Sequence, residues 1–299
     1  MIGVFIWKEE LYMKIMKSEL AVMRDDVVNE LNRRGFNAVP LDKDEGYAVL
    51  HGIAEKSNPN GTPVLFMEKV GKGEAYADVG EWTDAFATAF NSFDDSYAEF
   101  ADSLADPDFI LKNVGIRLDK ASGDDKVKRE CPLNGLEARL FVSTIGPEGP
   151  ESSLSVDLHP EILKRAGLRE DDVRRAAQER MENDVSVMSL AEAVGFPEDV
   201  EEGFPPVLIV TNGSRRFGAS RLLTKKAVAE LETRLHTDRF AVLPSSKHEV
   251  LVLPADDSTD AEGLGLMVSA INSEVVAPRD RLADKAFVAT VKELLKGVE

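Results

Sequence analysis

The N-terminal apolar positions repeat with a helical period. Tyr12, Met16, Leu20, Met23, Val27 and Leu31 are spaced 4-4-3-4-4 and predict one face of an amphipathic helix, with Gly35 placed to stop it. Phe36 to Leu41 and Tyr47 to Ile53, around the turn DKDEG, predict two strands, and Val64 to Glu68 predicts a third after the loop SNPNGTP. Trp82, Phe86, Phe90, Phe93, Tyr97, Phe100 and Leu104 then fall at spacings of three and four, which predicts one long helix with an aromatic stripe. A soluble acidic chain seldom exposes so large an apolar patch, so the stripe is expected to be core. A groove for an apolar ligand or a partner helix is the other reading.

Asp106-Pro107 ends that helix, and the pattern turns strand-rich: Val114 to Leu118, Leu136 to Ile145 and Ser153 to Leu158, joined by ASGDDK and GPEGPESS. Helices are expected from Pro160 and from Glu170 to Glu182, the second with acids in its first turn, where the helix dipole favours them. FPEDVEEGFPP reads as a polar, proline-bearing connection. The stretch VLIVTNGSRRFGASRLLTKKAVAELETRL reads as a buried strand, a glycine-bearing loop and a helix, followed by strands Phe240 to Leu243 and Val250 to Leu253 joined by PSSKHE. A helix from Asp260 is expected to carry Leu264, Met267, Ile271 and Val275 inward, and a last helix to carry Phe287, Val291 and Leu295. The sum is an α+β chain: mixed sheets with flanking helices, an N-terminal region over 1–112 and a larger C-terminal region over 113–299. Val207 to Val210 and Phe240 to Leu243 flank one helix, so they are expected as parallel neighbours with a right-handed crossover. That would bring loop 212–220 and turn 244–249 to the strand end where open α/β sheets hold ligands. In the alternative, the second strand forms an antiparallel hairpin with Val250 to Leu253.

Composition narrows the function. The 299 residues carry 54 acidic and 36 basic side chains, a net charge of −18. Such a surface repels phosphate backbones and argues against nucleic-acid binding. Cys131 is the single cysteine, which excludes an intramolecular disulfide and fits a reducing cytoplasm. Its context, RECPLNG, supplies no base to activate it. No apolar run approaches the ~20 residues of a membrane span, and MIGVFIW is too short for a signal segment. A cytoplasmic protein without membrane insertion is expected. Met13 offers an alternative start that would leave residues 1–12 outside the native chain.

Two segments carry candidate chemistry. In TNGSRRFGAS, backbone N–H groups before a helix and the charges of Arg215, Arg216 and Arg221 suit an anion. The spacing is neither that of a phosphate-binding P-loop nor of a dinucleotide fingerprint. The plain reading is a connection in which Ser220 or Thr211 caps and Gly213 and Gly218 turn. In LPSSKHEVLVLP, strand alternation puts Ser246 and His248 on one face and Glu249 on the other. Residues two apart on a strand lie roughly 6–7 Å apart, too far for a hydroxyl–imidazole nucleophile. His51, His159, His236 and His248 show no metal-ligand spacing, and the paired aspartates suit loops and caps. No catalytic residue, metal or cofactor is assigned. The candidate binding residues are Asn212, Arg215, Arg216, Ser220, Ser246, His248 and Glu249. The leading expectation is a non-enzymatic cytoplasmic protein that binds a small anion, another ligand or a protein partner. The alternative is an enzyme acting on an anionic or phosphorylated small molecule at the 212–220 loop and the 244–249 turn.

Several segments together resemble the uncharacterised bacterial domain-of-unknown-function family numbered 5688. They are VVNELNRRGFNAV, LHGI, TPVLFMEK, LKNVGIRLDK, SVDLHPEILKRAGLREDDVRRAAQ, VLIVTNGSRRFGASRLL, LPSSKHEVLVLP and LMVSAINSEVVAPRDRLADKAF. TPVLFMEK departs from the tyrosine-bearing strand expected there, and the first dozen residues fall outside the resemblance. The resemblance implies a fold type and a bacterial origin but no activity. A second uncharacterised bacterial family looks like a distant relative in which the hairpin keeps a histidine followed closely by an acid while its serines differ. That implies less for the serines than for His248, Glu249 and the TNGSRRFGAS loop.

Overall fold

The computed structural model describes residues 20–44, 49–57, 64–67, 78–91, 95–146, 149–193, 195 and 206–296. The chain divides into two units, between Asp102 and Ser103.

The first unit opens with helix α1 over 20–33, which buries Val27 and Leu31. Gly35 ends it in the left-handed region at φ +95°. Its N–H reaches Asn32 O and the Phe36 N–H reaches Leu31 O, both at 3.2 Å, the paired bonds that close a helix on glycine. Strands β1 (Ala38–Asp44), β2 (Val49–Glu55) and β3 (Val64–Phe66) form an antiparallel sheet in that order. Helix α2 (Val79–Asn91) buries Trp82, Phe86 and Phe90, with successive ring centroids 6.2 and 5.8 Å apart. These rings pack with Val27, Leu31, Ile53 and Met67 into one core. Helix α3 (Asp95–Ser103) covers the following part of the stripe, and residues 92–94 lie outside the described residues. Tyr12, Met16, Tyr47, Glu68, Phe93 and the Tyr97 side chain lie outside the described residues; Phe100 and Leu104 are half-buried.

In the second unit, Asp106 caps α4 (Pro107–Asn113) by accepting from Asp108 N, with proline in the first turn where its missing N–H costs nothing. Strands β4 (Val114–Lys120), β5 (Lys128–Arg129), β6 (Leu136–Gly146) and β7 (Gly149–Asp157) follow. β6 pairs antiparallel with all three others. Alternation sorts the sheet's faces. Ile116, Leu118, Ala138 and Leu140 are fully buried on one, while Arg117, Asp119, Glu137 and Arg139 occupy the other. Helix α5 (Pro160–Ala166) ends on Gly167 at φ +68°, and α6 (Glu170–Asn183) buries Val173, Ala177 and Met181.

The second sheet contains β8 (Ser186–Ser189), β9 (Leu208–Thr211), β10 (Arg239–Leu243), β11 (Val250–Pro254) and β12 (Phe287–Thr290) in the order β12-β10-β11-β9-β8, antiparallel throughout. A short helix α7 (Leu190–Ala193) follows β8. Helix α8 (Lys225–Leu235) lies between β9 and β10 in sequence, and α9 (Ala261–Val275) between β11 and β12.

Three expectations are corrected. First, β9 and β10 run parallel but are not neighbours, because β10 forms the antiparallel hairpin with β11 and β11 inserts between them. Second, α9 turns Met267, Ile271 and Val275 outward, at 58, 43 and 75 % exposure. Its inward face is Gly265, Val268 and Asn272. Asn272 donates to Ala283 O at 2.9 Å and to Asp284 at 2.6 Å, and a side chain at 265 would meet the Lys285 backbone. This polar anchor and close backbone approach set the helix rotation against its own apolar stripe. Third, Phe287 begins strand β12 rather than a helix. The final helix, α10 (Val291–Leu294), starts only at the capping box of Thr290 and Glu293, and it buries Leu294.

Candidate ligand-binding cleft

β9 ends in Thr211, and the chain then makes a tight loop built by Asn212. The Asn212 side chain, 4 % exposed, accepts from Arg216 N at 3.1 Å and donates to Arg216 O at 3.0 Å. Arg215 and Phe217 both sit in the left-handed region at φ 52°, a conformation that costs a non-glycine residue about 1–2 kcal/mol. Residues outside the loop hold it there. Asp184, at the end of α6, accepts from Gly213 N at 3.0 Å and from Arg221 at 3.2 Å. Phe217 donates its N–H to His248 Nδ1 at 3.3 Å and stacks on that imidazole with centroids 5.7 Å apart. Gly218 is obligatory: a Cβ there would lie 2.6 Å from His248 O and 2.7 Å from Asn212 N.

The 212–220 loop and the 244–249 turn therefore touch. Thr211 Oγ1 donates to His248 O at 2.8 Å, and Ala219 N to Lys247 O at 3.2 Å. Because β9 and β10 are parallel, their carboxyl ends face the same way even with β11 between them. The helix-terminus expectation is corrected, however. Residues Gly218–Leu223 form a 3-10 turn, and α8 begins only at Lys225, capped by Thr224. Its free N–H groups are already taken: Lys225 N and Lys226 N donate to Glu182 at 2.7 and 3.0 Å. Neither Ser220 nor Thr211 caps. The buried Ser220 hydroxyl donates to Ile116 O at 2.6 Å, on β4.

His248 is likewise committed. Nδ1 accepts from Phe217, which puts the proton of the neutral ring on Nε2, 3.5 Å from Asp280 Oδ1. Ser246 Oγ accepts the His248 backbone N–H at 3.0 Å. Residues 244–249 form the hairpin connection rather than strand, so the alternation expected for Ser246, His248 and Glu249 does not apply.

Beside the loop opens a cleft of about 730 Å³. It runs from the end of α4 (Asn113) and the start of β4 (Gly115) across β6 and β7 (Phe141, Ser143, Ser155) to the end of α6 (Arg180, Asp184) and the loop (Asn212, Ser214, Arg216, Phe217, Arg221). Of the sequence candidates, Asn212 and Arg216 line it. Arg215 points to Met188 Sδ at 3.9 Å, and Ser220, Ser246, His248 and Glu249 lie outside the lining. Arg180, Arg216 and Arg221 face a single lining carboxylate among the described residues, Asp184. Burial lowers the Arg221 pKa, although Asp184 opposes the shift. Candidate chemistry in the sequence missed Asn113, Gly115, Phe141 and Arg180. They come from segments remote from the loop, and nothing local marks them.

Next to the cleft, the polar face of β4, β6 and β7 holds an ion network. Arg117 meets Asp157 at 2.7 Å, Lys128 meets Glu137 at 3.0 Å, and Lys247 of the turn meets Asp119 at 3.0 Å. The Arg117 guanidinium also lies 5.4 Å from the Phe217 ring centroid, which ties the network to the loop. The alternating charges of GIRLDK and LEARLF were its visible signal.

The structure thus defines an α+β protein whose second unit frames an arginine-lined cleft between two sheets and a helix. Residues 144–288 match the model of the Family of unknown function (DUF5688), so the recognition made from the sequence holds over that stretch. No curated protein and no solved structure matches the chain. Among the described residues no helix is long and apolar enough to cross a membrane, and no cluster of metal-ligating side chains occurs.

Proposed function

We propose that the second unit binds a small anionic molecule, such as a phosphorylated metabolite, in this cleft and does not transform it. The observation that carries the reading is the convergence of Arg180, Arg216 and Arg221 on one concavity in a chain of net charge −18. Amide and hydroxyl groups of Asn113, Ser143, Ser155 and Ser214 supply neutral donors and acceptors around them. Binding without chemistry is favoured because the side chains suited to catalysis are engaged in building the loop: Ser220 on β4, Ser246 on the His248 N–H, and His248 on Phe217. The reading places the protein in the bacterial cytoplasm, in keeping with its single cysteine.

A thermal-shift panel of sugar phosphates, nucleotides, inorganic phosphate and dicarboxylates tests it, since a ligand bound only by the folded state raises Tm. At least one phosphorylated compound is expected to raise Tm, and Arg216→Ala to weaken its binding by about tenfold or more, the loss of one charge-assisted contact. The compound should be recovered unchanged after incubation. No shift with any anion, or a shift indifferent to Arg216→Ala, overturns the reading; turnover of the compound favours the enzyme alternative.

A further inference from the structure

On the opposite face of the first sheet of this unit, Arg129 of β5 is 7 % exposed and registered against Ala138. Its Nη1 donates to Gln178 Oε1 on α6. Its Nε and Nη2 are buried with no hydrogen-bond partner among the described residues. Those two donors lie along one edge of the guanidinium, the fork that grips both oxygens of an oxyanion. One helical turn before Gln178, Arg174 places its own Nε buried and unpartnered.

Burial and the neighbouring Arg174 charge lower the Arg129 pKa, and Glu182 opposes the shift without a hydrogen bond to Nε or Nη2. The oxygens of Glu182 are taken by Lys225 N, Lys226 N and Gln178 Nε2, so it does not fill the Arg129 edge, and Glu170 pairs with Arg174. Burial pushes the Cys131 thiol up to about 11, so it stays neutral near pH 7, although the Leu133 backbone and Arg129 oppose the shift. A guanidinium keeps its proton, and leaving two of its buried donors without an acceptor is costly.

We infer that Arg129 and Arg174 form a second anion site, separate from the cleft, which takes a small free oxyanion such as phosphate or sulfate between β5 and α6. With Arg129 this deeply buried, the site admits a free tetrahedral anion and rejects bulky esters. It is a structural counterion site: occupancy completes the packing of α6 on the sheet.

The test uses the full chain, with inorganic phosphate, sulfate, phenyl phosphate and chloride at matched ionic strength, followed by thermal shift and isothermal titration. Phosphate and sulfate are expected to raise Tm saturably above chloride, and phenyl phosphate to fail at this site. The effect should persist in Arg216→Ala, which disables the cleft, and vanish when Arg129→Met is added to that variant. Should Arg129→Met not fold, Arg129→Lys retains the charge without the two-donor edge and is expected to weaken phosphate at least tenfold. Equal Tm in phosphate and chloride overturns the inference. So does a phosphate effect that, in the Arg216→Ala background, is undiminished by Arg129→Met or Arg129→Lys, and so does one lost in Arg216→Ala, which would assign the anion to the cleft alone.

Discussion

Single residues decide how the loop is held. Gly218 lets the start of the 3-10 turn pass within contact distance of both the β9 end and the His248 carbonyl. Gly218→Ala is expected to force these backbones apart and cost about 1–3 kcal/mol, read as a lower urea midpoint. The sequence showed that glycines turn in this loop but not which one is sterically required, because the clashing carbonyl lies thirty residues on, at 248. Separation along the chain, 104 residues for Ser220 and 31 for His248, also hid their roles. Their partners are Ile116 O and Phe217 N, and no local pattern announces either. Asn212 is the exception. Its bonds stay within four residues, and it was singled out in the sequence as a candidate binding residue.

At the scale of elements, alternation and helical spacing were good guides wherever one face was buried against one neighbour. β4 and β6 follow from GIRLDK and LEARLF, and α2 from Trp82, Phe86 and Phe90. Phe86 is fully buried, and Phe86→Ala is expected to cost about 3–5 kcal/mol by chemical denaturation. α9 was misread because Asn272, a polar residue, anchors its inward face. β8 was missed because SVMS offers no apolar run, and β12 because Phe287, Val291 and Leu295 repeat at a helical spacing of four. The polar face of β4 and β6 carries a pH dependence. Burial pushes the Glu137 carboxyl up, but the Ser122 N–H, Lys128 and Arg139 outweigh it and hold it low. Asp124 is held far below the usual carboxylate range by Lys128, Ser122 and Lys126 against the same opposing burial. Groups with depressed folded-state pKa values stabilise the fold above their unfolded pKa, near 4, and lose that contribution as pH falls through the folded value. Tm is therefore expected to be level above about pH 5 and to drop below about pH 4, and Glu137→Gln should flatten that drop while lowering Tm at pH 7.

For the whole molecule, charge and topology set the terms. A net charge of −18 sits beside a cleft with three arginines, so attraction for anions is local while the long-range field is repulsive. The protein is expected to pass unretained through a phosphate-bearing cation-exchange resin at neutral pH and moderate salt; firm retention would show a basic face and reopen nucleic-acid binding. Topology has a different consequence. The central position of β11 means that β9 gains its second sheet neighbour only after Val250 to Pro254 have been made. During synthesis on the ribosome, a nascent chain ending at β10 lacks the strand that joins β9 to β10. The hairpin must bring β11 against β9 before the Thr211 and Gly218 contacts can form. Arrested chains ending before Val250 should therefore be captured by chaperones and cleaved rapidly by protease in this region, whereas chains long enough to free β11 from the exit tunnel should become resistant.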